Sequence, residues 1–85
     1  MGKVQCNVKV GTAKWRSDTN RRRWICGFCW FIKTPFGDVM NHDINRPRHF
    51  TRASAMKDGR AAAVALGFEI VRRKVTPLTG ATHVR

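Results

Sequence analysis

The segment from Trp24 to Thr34 reads WICGFCWFIKT and is apolar at almost every position. Tryptophan, isoleucine and phenylalanine are enriched in strands, and a short run that is apolar on both faces is typical of a strand inside a sheet. The segment therefore predicts a central strand. Its alternation places Trp24, Cys26, Phe28, Trp30 and Ile32 on one face, and Ile25, Cys29 and Phe31 on the other.

The neighbouring segments predict two further strands. Residues 3–10 alternate strictly between polar and apolar side chains, and this half-buried strand is expected to continue through residues 12–16 past a bulge at Gly11. Residues 35–38 predict a tight turn, because proline presets φ and glycine accepts a positive φ. A weaker strand at 39–44 completes an antiparallel meander.

A helix and a last strand are expected in the second half of the chain. Residues 52–66 are rich in alanine and favour a helix, and Thr51 is a suitable N-cap. Gly59 lies in a stripe of small residues, which predicts that the helix packs closely on the sheet. Gly67 is placed for a left-handed C-cap, and residues 68–75 predict the last strand.

Together these elements predict an α+β fold, an antiparallel three- to four-stranded sheet covered by one helix in the order βββαβ. A single domain is expected over residues 1–75, followed by a flexible tail at 76–85. A chain of 85 residues buries only about 60–65% of its unfolded surface, so the core is expected to be thin. The core is predicted under the helix, on the strand face of Trp24, Phe28, Trp30 and Ile32.

The chain is strongly basic, with 17 lysine and arginine residues against 5 acids and a formal net charge of +12. Arginine presents a planar fork that binds phosphate through two hydrogen bonds. Trp15 lies beside the first group of cations and is suited to stack on a base or a sugar. The cations form three clusters: Arg16 with Arg21, Arg22 and Arg23; Arg46 with Arg48 and Arg52; and Arg72 with Arg73 and Lys74.

Three interpretations of this charge remain open. The clusters suit a nucleic acid, bound mainly through its phosphates and with little sequence specificity. They also suit an acidic protein surface, and a basic surface that serves solubility alone is the third alternative. We adopt nucleic-acid binding as the first hypothesis, with the protein partner as its alternative.

Catalysis, cofactors and metal binding are not predicted. The acids are scattered along the sequence, and no nucleophile, base and orienting group can be assembled from it. Cys26 and Cys29 have the CxxC spacing of a metal site, but residues three apart in a strand point to opposite faces and cannot hold one ion. No small-molecule substrate is evident either.

The sequence also suggests a location. Its N-terminus lacks the pattern of a signal peptide, and no run of about 20 apolar residues predicts a membrane helix. Three cysteines are an odd number, which favours reduced thiols. We therefore expect a cytoplasmic protein without a membrane partner.

The residues that follow the predicted helix, Gly-Phe-Glu-Ile-Val-Arg-Arg-Lys at 67–74, resemble the end of the small RNA polymerase inhibitor family typified by phage T7 gene 2. The resemblance implies a short sheet with one helix and a phage protein that acts on the host by protein–protein contact. It also implies that Arg72 and Lys74 stand where that family places two arginines for polymerase binding. The general expectation is a small phage-type accessory protein, and the alternative function is inhibition of a host nucleoprotein machine, RNA polymerase or a CRISPR complex.

Overall fold

A computed structural model describes residues 2–76, which form four strands and one α-helix. The predicted tail at 76–85 lies outside the described residues except for Thr76. The strands are β1, Gln5–Arg16; β2, Trp24–Thr34; β3, Gly37–Met40; and β4, Glu69–Ile70. A 3-10 helix spans Asn41–Ile44, and the α-helix α1 spans Arg52–Ala65.

The α+β class is confirmed, but the prediction of a purely antiparallel sheet is wrong. The strands lie in the order β3-β2-β1-β4, and β4 runs parallel to β1. The direction follows from the connections: β1, β2 and β3 alternate in direction, and α1 carries the chain back to the starting edge beside β1. The element order also contains the 3-10 helix between β3 and α1, which the predicted βββαβ order lacks.

Strands β1 and β2 form a long antiparallel hairpin with an unbroken register from Asn7 opposite Lys33 to Arg16 opposite Trp24. The predicted bulge at Gly11 is therefore wrong, because Gly11 simply pairs with Cys29. The even-numbered residues of both strands face α1. The odd-numbered residues form the opposite side of the sheet, which we call the open face.

The core lies between α1 and one end of this hairpin. Trp30 and Ile32 are fully buried with Cys6 and the helix alanines Ala62 and Ala63, so half of the predicted core set is confirmed. The other half is wrong. Trp24 is 53% exposed, and Phe28 is only half-buried. A helix of 14 residues is about 21 Å long, so the hairpin extends past it and leaves Trp24 uncovered.

Gly59 allows α1 to approach the sheet. A Cβ atom at this position would lie 2.8 Å from the Val8 side chain and 2.9 Å from the Trp30 ring, closer than real atoms pack. The predicted N-cap is also confirmed, because the Thr51 side chain accepts a hydrogen bond from the Ser54 amide. Gly67 follows the helix with a φ of 84°, the left-handed conformation expected there.

The third predicted strand, at 39–44, ends early. After Met40 the chain turns into the 3-10 helix, where the Asp43 carboxylate accepts a hydrogen bond from the Met40 amide at 2.8 Å. Asn41 is buried and donates to the Pro47 carbonyl at 2.9 Å. These polar side chains bond the local backbone and so replace the strand ladder.

The last strand is also shorter than the predicted 68–75, because a side chain replaces its ladder. The Asn7 amide donates to the carbonyls of Val71 and Arg73, at 3.0 and 2.9 Å, and its oxygen accepts from the Val75 amide at 2.8 Å. The chain after Ile70 therefore curls around the N-terminal end of β1, at Asn7. Val75 becomes buried, and residues 72–74 stay exposed.

Candidate functional site

The hairpin extends beyond α1 as a two-stranded ribbon, residues 13–27, which we call the ribbon end. Backbone groups close its loop: the Ser17 amide donates to the Arg23 carbonyl at 3.0 Å, and the Arg23 amide donates to the Asn20 carbonyl at 2.9 Å. The Ser17 hydroxyl accepts from the Thr19 and Asn20 amides. The loop thus holds its shape without the guanidinium groups of Arg21, Arg22 and Arg23, which are exposed.

Arg16 and Trp24 end the two strands of the ribbon and are paired in the register. The Arg16 guanidinium lies 4.5 Å from the centroid of the Trp24 ring and donates to the Arg21 carbonyl at 2.6 Å. A cation over an indole face is attractive by about 0.5–1 kcal/mol at an exposed site. The ribbon end therefore presents an aromatic ring under a cation, beside three loop arginines.

The second predicted cluster lies on the segment 45–50, which returns to the edge of β2. His49 and Phe28 exchange two backbone hydrogen bonds, at 2.6 and 2.9 Å, and so extend the sheet by one bridge. The next residues on either side, Arg48 and Phe50, consequently reach the open face. His49 points to the opposite face, toward α1.

Asp58 ties this segment to the helix. Its carboxylate accepts from the Trp30 indole at 2.8 Å and from the Arg46 guanidinium at 2.8 Å, and it lies 3.2 Å from His49 Nε2. Burial by itself raises the pKa of Asp58, but the hydrogen bonds from Trp30 and His49 and the charge of Arg46 outweigh it and hold the pKa below its usual range. Arg46 is therefore engaged in holding the fold.

No nucleophile, base and orienting group could be assembled from the sequence, yet three such side chains are brought together in the structure. The Ser54 hydroxyl is 2.6 Å from His49 Nδ1, and His49 Nε2 is 3.2 Å from Asp58. The Asp58 side chain is only 17% exposed. Ser54 and Asp58 are four residues apart in the helix and so share a face, a signal visible in the sequence. The pairing of His49 with Phe28, which brings the His49 side chain to the same place, could not be inferred from the sequence.

Trp15, for which the sequence suggested a stacking role, lies on the open face. Its ring rests over Gly27, where a Cβ atom would lie 2.6 Å from the ring. The ring also meets Phe50 at a centroid distance of 5.7 Å and Arg48 at 5.2 Å. Arg48 is thus joined to an aromatic surface, away from the acid that binds Arg46.

Arg52 lies on the other side of the sheet. Its guanidinium is 5.0 Å from the Phe28 ring and donates weakly to the Val10 carbonyl at 3.4 Å. That carbonyl points away from β2, as does the Cys6 carbonyl that accepts from Val71. Beyond Cys6 the outer edge of β1 has no strand partner in the described chain, because β4 pairs only with Gln5 and Cys6.

The third cluster, Arg72, Arg73 and Lys74, lies near Asn7 at the opposite end of β1. Arg72 and Lys74, with Lys9 and Arg60, line a groove of about 700 Å³. Sequence analysis missed Lys9 and Arg60 as site candidates. Arg60 is one helical turn beyond Met56, a position that the α-helical period could have indicated.

The three predicted clusters do not lie together at one point of the structure. From Asn7 to Arg16 the strand is about 30 Å long, at roughly 3.3 Å per residue, so the clusters lie at three positions along it. Among the predicted site residues within 2–76, only Arg46 forms an ion pair with an acid. The arrangement is therefore a series of exposed cations at intervals along β1, on both faces of the sheet.

The predicted placement of Cys26 and Cys29 in one strand is confirmed, but Cys26 is exposed and Cys29 is only half-buried. Cys26 and Cys29 are both in β2 and face opposite sides of the sheet, and Cys6 is buried. Burial raises the pKa of the Cys6 thiol. Within residues 2–76, no group of three histidine, cysteine or acidic side chains lies close enough together to hold a metal ion.

Comparison with known proteins gives no relative: no family model matches the sequence, and no curated protein or solved structure is significantly similar to it. The resemblance to phage polymerase inhibitors stays a prediction. The described chain has no helix with the length and apolarity needed to cross a membrane.

Proposed function

We propose that this protein is a small basic accessory protein of phage type that binds nucleic acid without catalysing a reaction. One observation carries the proposal. Arg21, Arg22 and Arg23 are exposed on a loop that backbone hydrogen bonds already close. Three adjacent like charges repel each other, and the fold gains nothing from them, so a phosphate-bearing partner is their best explanation.

The other cations extend this surface. Four more cations are exposed: Arg48 on the open face, and Arg72, Arg73 and Lys74 near the N-terminal end of β1. A nucleic acid lying along β1 would meet several of them, at intervals set by the strand. Contacts of this kind recognise the backbone and give little sequence specificity.

The Ser54, His49 and Asp58 arrangement does not change the proposal that the protein is not an enzyme. Its carboxylate already receives hydrogen bonds from Trp30 and Arg46, and the network joins the segment 45–50 to α1. This makes it a structural link that positions Arg48.

The experiment is a titration of labelled DNA at several salt concentrations. Changing Arg21, Arg22 and Arg23 to Ala should flatten the slope of log affinity against log salt by about 0.7–0.9 for each phosphate that the variant no longer neutralises. The matched control changes the same three residues to Lys, which keeps the charge and should keep most of the slope. Wild-type binding by the triple alanine variant would contradict the proposal.

A second candidate function is inhibition of a host nucleoprotein machine by protein–protein contact. It is favoured by the outer edge of β1, which beyond Cys6 has no strand partner among residues 2–76. An exposed strand edge accepts an extended segment of another protein through backbone hydrogen bonds. In that case the loss of affinity would concentrate in one or two anchor arginines, without a regular change of salt slope. A stoichiometric complex that survives nuclease treatment would favour this candidate.

A further inference from the structure

The open face carries two aromatic rings that rest on glycines. The Phe31 ring lies over Gly11, with an atom 3.5 Å from the position of a Cβ there, and the Trp15 ring lies over Gly27. Both rings are half-buried and so keep part of their surface exposed. Only a glycine at position 27 leaves room for the Trp15 ring, whereas the Phe31 ring would be in ordinary van der Waals contact with a Cβ at position 11.

Each ring also has a cation over its face, which a base must displace in order to stack there. Lys33 Nζ is 5.6 Å from the centroid of Phe31, and the Arg48 guanidinium is 5.2 Å from that of Trp15. Lys33 Nζ also lies 3.5 Å from the Asp38 carboxylate, and a partly exposed ion pair of this kind contributes little to stability. Lys9, opposite Phe31 in the register, is a further exposed cation on this face.

The described chain leaves this face uncovered over most of its area. The helix packs on the even-numbered side, against Val8 and Trp30. The segment 71–75 lies at the Asn7 end of the open face, and Phe50 lies at the Trp15 end. Half-buried apolar side chains lie between these limits, including Ile25, Cys29 and Met40.

We propose that the open face binds single-stranded nucleic acid, with bases stacked on Phe31 and Trp15 and phosphates held by the neighbouring cations. This inference rests on the proposed function and specifies its ligand. Aromatic rings on a sheet surface stack on any base, and adjacent cations bind the backbone. The charge of the chain, +12, disfavours a second copy as the cover for this face and favours a polyanion.

The spacing of the rings distinguishes a single strand from a duplex. Gly11 pairs with Cys29, and Gly27 pairs with Ala13, so the two glycines lie two residues apart along the hairpin. The glycines are thus about 7 Å apart along the strands and one strand spacing, about 4.8 Å, apart across them, whereas neighbouring bases in a duplex are stacked about 3.4 Å apart. Bases that reach both rings must be unstacked from each other, and only a single strand permits this. The stacking and phosphate contacts need no 2′-hydroxyl, so DNA and RNA are equivalent ligands.

The test measures binding of an oligothymidylate of about 12 nucleotides, which is long enough to span β1 even at the stacked spacing of about 3.4 Å per nucleotide, and of a duplex of the same length. Phe31→Leu and Trp15→Leu keep apolar volume and remove the ring. Each should weaken single-strand binding by about 5- to 100-fold and change duplex binding less than about 2-fold. An RNA of the same length should bind like the DNA. A strong preference for RNA would overturn the inference.

Two controls keep the test decisive. Phe31→Tyr and Trp15→Phe retain an aromatic ring and should restore binding, which separates stacking from loss of folding. Phe36→Leu removes a ring that is 71% exposed on the β2–β3 turn, away from the paired rings and cations of the open face, and it should bind like wild type. Unchanged single-strand affinity in folded Phe31→Leu overturns this inference alone. Absence of any nucleic-acid binding by wild type overturns the proposed function as well.

Discussion

The two ends of the β1–β2 hairpin have the same strand alternation and opposite relations to solvent. At the end covered by α1, the even-numbered side chains Trp30 and Ile32 are fully buried against helix alanines. At the ribbon end, Trp24 belongs to the same alternation and is 53% exposed under the Arg16 guanidinium. At the covered end, packing against α1 determines the side chains. The ribbon end keeps exposed side chains that the fold does not bury and that a partner can bind.

The largest effect should come from the covered end. Trp30→Ala leaves a cavity under the helix and removes the indole donor of Asp58, and we expect a loss of about 3–5 kcal/mol in unfolding free energy. Trp24→Ala is the matched variant at the ribbon end and should lose less than about 1 kcal/mol. Chemical denaturation of both measures the contrast, and equal losses would break the comparison.

The next largest loss of stability should come from breaking the link between the segment 45–50 and α1. Asp58→Asn should lose about 2 kcal/mol at neutral pH, between the values of exposed and buried ion pairs. The pKa of Asp58 is lower in the folded protein than in the unfolded chain, where it is near 3.9. The ionised carboxylate therefore contributes its full stabilisation of the fold above about pH 3.9, and this contribution is lost as the pH falls through the folded-state pKa.

The difference between wild type and Asp58→Asn should therefore shrink below about pH 4, as measured by denaturation across a pH series. A difference that grows at low pH would contradict the network described for Asp58.

Gly59→Ala sharpens the packing side of the comparison. Helix propensity alone favours alanine by about 1 kcal/mol, but the new Cβ would collide with Val8 and Trp30, and we expect a net loss of about 1–3 kcal/mol. Ala61→Gly, at an exposed position on the same helix, should lose about 1 kcal/mol from propensity. A more stable Gly59→Ala protein would show that the helix lies farther from the sheet.

The smallest effect on stability should come from the ribbon loop. Changing Arg21, Arg22 and Arg23 to Ala should alter the unfolding free energy by no more than about 0.5 kcal/mol per site, because backbone bonds close the loop. A thermal melt measures this beside the binding titration. A large loss would mean that the arginines serve the fold.

Much of the architecture was predictable because it depends on local pattern. The alternation of residues 3–10 and the apolar run at Trp24–Thr34 indicated the hairpin, and Thr51 and Gly67 marked the helix ends. Each of these signals acts within a few residues, where backbone preference and hydrophobic period decide the structure. The tight approach at Gly59 was likewise indicated by the small-residue stripe.

The errors share a physical cause. The third and last strands were predicted too long because Asn41 bonds the backbone of the loop that follows it, and Asn7 bonds backbone groups that are distant in the sequence. Trp24 was assigned to the core because alternation gives the face of a side chain and cannot give the reach of the helix above it. The direction of β4 depended on which sheet edge the chain returned to.

The sequence alone determined the α+β class, the hairpin, the helix with its caps and the surplus of positive charge, since each follows from local pattern or from counting. Only the tertiary structure decided that β4 is parallel to β1 and that the cation clusters lie along a strand instead of at one point. It also brought Ser54, His49 and Asp58 together and left Phe31 and Trp15 on an open face. These facts depend on which distant residues meet, and only the packing of α1 on one end and one side of the sheet fixes that.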